Sequence, residues 1–485
     1  MQNPKNTCEL RDTMSHEIRA DYNQIWMFPP SLEDLLEKDH PVRFIREFVD
    51  ALDLPALGFR MRKGDEGRPN YAADLLLKVW LYGYLERIRS SRKLEKAGRQ
   101  HLALMWLTGM NAPDHNSLWR FWKDNRRALK KVFQQTVRVA MEAGLVDMVL
   151  NAVDGTKIAA QTATDRAWVR QQLEKRLKKL DTWLDRAMAE VEKAEKEESG
   201  EYRLPEEFTE KQKLRLKIQE SLTKLKAEDR NSMHPGEPDA QMMKTRDGIR
   251  LAYNAQAVVD DKVGVIVAAE VTTDQNDERQ LVPMLETVQK EMGKVAEETV
   301  ADGGYCSGEQ LAGAESAKFS VLVNLSGLQK AEENGGPYHC SKFKYDTESD
   351  CYCCPMGQKL EFEHTGKHRD KSYETRIYRC KSAKQCPVRW QCSKDRHGRA
   401  IERSPYSDAI VRQKEKQRDK TKTDLLQRRK VIVEPVFAQV KHLLEFRRWT
   451  VRSLEKVKTQ WDFVCAVVNL RKIYPHWREQ KLQCT

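Results

Sequence analysis

The sequence predicts a mixed α/β core preceded by an all-α N-terminal region. Three observations predict it. Apolar residues recur at helical spacing up to about residue 147, and short apolar runs closed by turn residues follow from residue 148. Beyond residue 277, strand-like and helix-like runs alternate, the pattern of helices packed on a mixed sheet. The expected division is 1–147 for the helical region and 148–485 for the α/β region.

In the N-terminal region, Leu75, Leu76, Val79, Trp80, Gly83 and Tyr84 share a stripe within a helix expected over 71–88. Arg89-Ser90-Ser91 breaks it, and Ser91 can cap a second helix through Arg99. Gly109 and Pro113 interrupt the chain before a helix expected from 116 or 117 to about 143. The first half of that helix carries Arg120, Lys123, Arg126 and Arg127 among Trp119, Phe121 and Trp122. Short helices and a basic aromatic helix suit a helix-turn-helix-like DNA reader, and an ordinary helical bundle fits the periodicity equally well.

The core begins with a strand over 148–153 that is expected to end at Asp154-Gly155. Strands over 250–259 and 263–271 form a hairpin around Asp260-Asp261-Lys262. A helix over 277–292 follows, then a strand over 299–301 leading into Asp302, and another over 319–323. Two inserts interrupt this order. In 165–235, two leucine stripes separated by Ser199-Gly200 and Pro205 predict an antiparallel helical hairpin. The second insert, 327–405, is rich in cysteine. Residues 409–446 are helical in pattern and carry Glu434; Pro435 suggests that the helix starts afresh near 433.

Charge points to a polyanion. The formal net charge is +12, but 365–485 holds 31 Lys and Arg against 13 Asp and Glu, a net of +18, and the rest is net −6. Trp390, Trp449, Trp461 and Trp477 are interleaved with that charge, which favours nucleic acid. No run approaches the ~20 apolar residues of a membrane span. Residues 1–21 are polar and fit no signal or transit peptide, so a cytoplasmic, nucleoid-associated protein is expected. Seven of the 11 cysteines lie between Cys340 and Cys392, which in a reducing compartment reads as metal ligands before disulfides.

Asp154 and Asp302 are each expected at a strand end, a rigid mount facing open space. Asp-Gly is also an ordinary turn, and spacing alone does not choose a site among 73 acidic residues. The surrounding segments do. Tyr71-Ala-Ala-Asp-Leu-Leu-Leu-Lys-Val-Trp, Trp106-Leu-Thr-Gly, Val153-Asp-Gly-Thr-Lys-Ile, Tyr253-Asn-Ala-Gln-Ala-Val-Val-Asp, Ala301-Asp-Gly-Gly-Tyr and Val433-Glu-Pro-Val-Phe-Ala-Gln-Val-Lys occur in this order. They resemble the segments of bacterial insertion-sequence transposases of the DDE type, whose core is ribonuclease-H-like, and the resemblance runs from about Phe28 to Tyr474.

That resemblance implies a catalytic trio of Asp154, Asp302 and Glu434 holding two Mg²⁺ or Mn²⁺ ions. It implies double-stranded DNA as partner, both element ends and target, and a homodimer assembled on that DNA. Lys441 occupies the family's E-x6-K position and Lys430 stands where some relatives carry Arg, both toward DNA phosphate; Gln427 replaces a Tyr. Arg120, Lys123, Arg126 and Arg127 would contact DNA from the N-terminal region. Cys354-Pro-Met-Gly resembles a turn of the relatives, and Cys354, Cys380, Cys386 and Cys392 are the preferred set for a structural zinc. His364, His368 and His397 are substitutes, and free thiols are the alternative. The functional alternative is a DNA-binding regulator on the same scaffold that does not cut.

Overall fold

The computed structural model describes residues 31–61, 70–196, 205–368 and 373–483. The polar stretch 1–21 and the Ser199-Gly200 turn lie outside the described residues.

The central sheet has six strands: β1 (Leu150–Ala159), β4 (Gln241–Thr245), β5 (Gly248–Asp260), β6 (Ile266–Thr272), β7 (Glu298–Ala301) and β8 (Val321–Val323). Its order is β4-β5-β1-β7-β8, and β6 pairs with the C-terminal half of β5. Strand β1 is antiparallel to β5 and parallel to β7, which is parallel to β8. Ten consecutive residues of β5 from Leu251 are buried, Asn254, Gln256 and Asp260 among them, so the strand is covered on both sides. The expected hairpin is present, its turn shaped by Asp260, whose carboxylate accepts from the Lys262 N–H at 3.1 Å.

Strand β1 corrects the expected ending at Asp154. It continues to Ala159 because β5 keeps pairing with it, through Asp154↔Ala257 to Ala159↔Ala252. Only the β7 side stops early, at Val153↔Ala301.

Among the described residues seven helices precede the sheet: α1 (Pro41–Asp50), α2 (Leu54–Leu57), α3 (Ala73–Leu85), α4 (Ser91–Gly98), α5 (Leu102–Thr108), α6 (His115–Asp124) and α7 (Arg126–Glu142). Ser90, not Ser91, is the N-cap of α4, and it makes no side-chain capping bond. The single helix expected over 116–143 is two. Asn125 breaks it: its side chain donates to the Phe121 carbonyl at 2.9 Å and accepts from the Arg60 N–H at 2.8 Å. A side chain that takes over backbone partners in this way competes with helix continuation.

Between β1 and β4, α8 (Arg170–Lys196) and α9 (Phe208–Ala227) form the expected hairpin. Leu173, Leu180, Ile218, Leu222 and Leu225 give it its own small core, and the two-residue strands β2 (Trp168–Val169) and β3 (Ser232–Met233) close its base. Helix α10 (Leu281–Met292) covers β6, and α11 (Gly308–Ser316) and α12 (Ser326–Asn334) flank β8 in sequence. The cysteine-rich insert is a separate five-stranded antiparallel sheet of β9 (Lys344–Asp346), β10 (Cys351–Cys353), β11 (Lys359–Lys367), β12 (Glu374–Cys380) and β13 (Ala400–Arg403), with a short helix α13 (Arg389–Cys392).

Helices α14 (Ser407–Lys416), α15 (Lys420–Ala438) and α16 (Leu454–Gln483) complete the chain. The expected restart near 433 is not observed; the break falls between α14 and α15, and Pro435 sits inside α15. Its missing N–H leaves the carbonyl of Val431 without its helical partner, and Val431 is 75% exposed, so water can serve instead. A π turn, Gln439–Leu443, then ends the helix.

The aromatic residues of the basic tail correct a second expectation. Trp449 and Trp461 are fully buried, donating to the carbonyls of Ile158 at 3.1 Å and Gln256 at 2.8 Å. They fasten the tail to the sheet and are not available to nucleic acid. Helix α16 runs back to the N-terminal helices, where Phe463 packs edge-on against Tyr84 and Trp122. One continuous apolar core therefore joins the helical region to the sheet. Among the described residues no helix is long and apolar enough to cross a membrane.

Candidate active site

The early end of β7 opens the site. Because β7 stops at Ala301 while β1 runs on, Asp154 and Asp302 are the first residues beyond the last parallel pair, Val153↔Ala301. Neighbouring strands lie about 4.8 Å apart, so the two carboxylates start from adjacent backbone positions. Asp302 caps a short 3-10 turn, Gly303–Tyr305, and its carboxylate accepts from the Gly304 N–H at 2.8 Å. Asp154 accepts from the Gly155 N–H at 2.8 Å and from Nη1 of Arg429 at 2.9 Å.

Burial pushes the Asp154 carboxyl above the usual carboxylate range. Arg429 and the Gly155 N–H oppose that rise, and the neighbouring charge of Asp302 adds to it. Arg429 pairs with one Asp154 oxygen, and the lone pairs of the carboxylate that remain can take a cation.

Arg429 was not foreseen. Sequence reasoning chose Lys430, which the structure leaves exposed. The signal was helical phase: Arg429 precedes the buried Val433 and Val436 by four and seven residues, so it shares their face of α15, which packs on β1. Glu434 is exposed one position off that face, and among the described residues no contact ties it to Asp154 or Asp302. Lys441, in the π turn, is half-buried; burial lowers its pKa, and the nearby Asp154 charge works against that fall.

A second network, also unforeseen, lies behind the strand. Asp154 and Gly155 point to opposite faces of β1, and Gly155, Lys157 and their partners Gln256 and Asn254 share the rear one. All converge on Asp277. Lys157 Nζ bonds both of its oxygens at 2.9 and 2.8 Å, and Asn254 and Gln256 donate to Oδ1 at 2.6 and 2.7 Å. Gln256 also accepts from the hydroxyl of Tyr305, which is fully buried. A Cβ at Gly155 would lie 2.3 Å from Nε2 of Gln256 and 2.8 Å from the Asp277 carboxylate, so only glycine admits this network. Tyr305 thus braces the turn that Asp302 caps.

Of the basic residues expected on DNA, Arg120, Lys123 and Arg127 are exposed, and Arg126 is half-buried beside Glu455 at 3.4 Å. In the insert, Cys354, Cys380, Cys386 and Cys392 line one small pocket over Leu360 and Phe343. Burial raises the Cys380 thiol, and each of the other three cysteines adds to that rise. His364, His368 and His397 do not line this pocket. All nine described cysteines are free thiols. Among the described residues no three His, Cys, Asp or Glu side chains close into a ready metal cage, here or at the aspartates.

Residues 353–474 match the family model described as Transposase DDE domain, and residues 30–124 match Transposase domain (DUF772). The chain carries a transposase DDE domain and, ahead of it, a second transposase domain. The first match takes in Glu434, Lys441 and most of the cysteine-rich insert, and the second takes in α1 to α6. No curated protein matches the chain. A DDE transposase is a polynucleotidyl transferase that acts on DNA, and the family generally uses a divalent metal. The aspartate pair offers such a cation hard oxygen donors from two adjacent strands.

Proposed function

We propose that this transposase cuts DNA at the ends of its mobile element and joins them to target DNA, using Asp154, Asp302 and Glu434. The observation that carries the reading is the placement of Asp154 and Asp302 side by side where β7 ends. The strand order β6-β5-β1-β7-β8, with β5 and only β5 antiparallel to β1, supports a ribonuclease-H-like core.

Asp154 and Asp302 would hold Mg²⁺ or Mn²⁺, with Glu434 delivered by α15. Bound there, two such ions supply positive charge at the scissile phosphate and a more acidic attacking water. The remaining work belongs to the chain. Arg429, released from Asp154, pairs with a DNA phosphate, and Lys441 holds another beside it. The Asp277 network keeps β1 and the Asp302 turn in register while DNA is pulled against them. Water attacks phosphorus at the element end, the P–O3′ bond breaks, and a 3′-hydroxyl and a 5′-phosphate result. The freed 3′-hydroxyl then attacks a target phosphodiester, one P–O bond forming as another breaks. Each chain carries one such site, so processing two ends calls for a homodimer on DNA.

Cys354, Cys380, Cys386 and Cys392 would take one structural Zn²⁺, which four protein ligands leave no open position for substrate.

An in-vitro strand-transfer assay with the element's own ends tests the reading. Asp154→Asn, Asp302→Asn and Glu434→Gln are each expected to abolish cleavage while leaving end binding within about threefold, because removing anions from a DNA groove does not weaken phosphate contacts. End binding without any cleavage by the wild-type chain would instead favour the non-cutting regulator.

A further inference from the structure

A cleft of about 850 Å³ opens between the α3–α4 turn, helix α6 and the segment entering α16. We infer that it binds an unpaired stretch of DNA, with phosphates on its basic rim and one base stacked on Trp119. The inference rests on the DNA-processing reading above and adds a second binding surface to it.

Charge comes first. The lining carries seven Arg and Lys and no carboxylate. Lys93, Lys123, Arg452 and Lys456 form no ion pair among the described residues. Positive charge held unpaired within a concave wall focuses the field on an anion.

The second observation is Arg89. It is half-buried on the cleft wall, and its Nε and Nη2 are buried without a hydrogen-bond partner. Its other amine reaches only the Glu445 carbonyl, at 3.4 Å, and the guanidinium lies 5.3 Å from the Phe446 ring. The guanidinium forms no ion pair among the described residues, and its charge adds to the positive field of the cleft.

The aromatic wall decides which form of DNA fits. Trp80, Tyr84 and Trp122 are buried in the floor, whereas Trp119 is 53% exposed, with Nζ of Lys123 5.1 Å from its ring. Bases in a duplex are already stacked and present only their edges, so an indole face within a cleft meets a base only when that base has left the helix. A basic groove with an aromatic platform is the chemistry of single-strand recognition. The cleft is also separate from the carboxylates. Five residues of β1 run from Asp154 to its end at Ala159, and Gln161 beyond it lines the cleft, roughly 20 Å away at about 3.3 Å per residue.

The test uses the full chain and fluorescence anisotropy at fixed salt. The probes are an oligodeoxythymidine of about a dozen nucleotides, a blunt duplex of equal length, and polyglutamate as a charge control. Wild-type protein is expected to bind the single strand, with its tryptophan fluorescence quenched. Trp119→Ala should weaken that binding about tenfold and duplex binding less than twofold, and Trp119→Phe should retain most of it. Lys93→Gln with Lys456→Gln should flatten the salt dependence of single-strand binding. Unchanged single-strand affinity in Trp119→Ala, equal losses for single strand and duplex, or polyglutamate bound as well as DNA would each overturn the inference and leave the transposase reading standing. A wild-type chain that binds neither DNA would remove both.

Discussion

Arg429 on helix α15 and Asp154 on strand β1 form the one ion pair that joins the Glu434 helix directly to the candidate aspartates among the described residues, at 2.9 Å. Their side chains are 12% and 20% exposed, so neither charge is well served by water. Removing one partner of such a pair leaves the other buried and uncompensated.

Arg429→Ala should therefore destabilise the metal-free protein by about 2 kcal/mol, below the 3–5 kcal/mol of a fully buried pair. Excess Mg²⁺ should restore much of the loss, because a ligand that binds only the folded state stabilises it. Urea unfolding with Mg²⁺ and with chelator measures both effects. A loss under about 0.5 kcal/mol would mean that the pair does not hold α15 in place.

Zinc should be found at one ion per chain purified without chelator, and Cys386→Ser with Cys392→Ser should remove it. The insert's own core is small, chiefly Phe343, Tyr352, Leu360, Tyr378 and Ile401, and a core of that size gains from a metal staple. Zinc loss should expose 327–405 to proteolysis while the main sheet stays folded. Metal analysis followed by limited digestion decides the matter, and metal content unchanged in the double variant would sink the ligand set.

Deletion of 1–147 should not leave a folded catalytic fragment. Phe463 rests on Tyr84 and Trp122, and Asn469 donates to Thr136 at 3.2 Å, so the cut would bare one whole side of α16. The truncated chain is expected to aggregate, as exposed contiguous apolar surface does. A soluble fragment with a cooperative thermal transition would show that the two regions are separable.

Asp462 predicts a pH effect on stability. It is fully buried on α16, its Oδ2 has no hydrogen-bond partner, and burial raises its pKa well above the usual carboxylate value. Lys130 and Lys458 oppose that rise, and Glu270 and Glu291 add to it. With the folded-state pKa raised, the native chain binds more protons than the unfolded one above about pH 4, so stability falls as pH climbs from there toward the folded-state value. Asp462→Asn cannot ionise. Its melting temperature should match the wild type near pH 4 and exceed it by a few degrees near pH 8. A gap that stays constant with pH would refute the assignment.

The sequence by itself determined the order of elements, and its resemblance to a family singled out the aspartates proposed here. Strand and helix periods are local properties, so the β5–β6 hairpin, the α8–α9 hairpin and the strands before Asp154 and Asp302 could be read from neighbouring residues. Tertiary structure decided the rest. Asp154 lies within β1 rather than at its end because β5, about a hundred residues away, continues the pairing. Trp449 and Trp461 became core because the sheet offered them the carbonyls of Ile158 and Gln256. Arg429 reached Asp154, and Lys157 reached Asp277, across sequence separations of 275 and 120 residues. An ion pair has no sequence period. It forms where packing brings opposite charges together in a place that water serves poorly, and only the folded chain fixes that place.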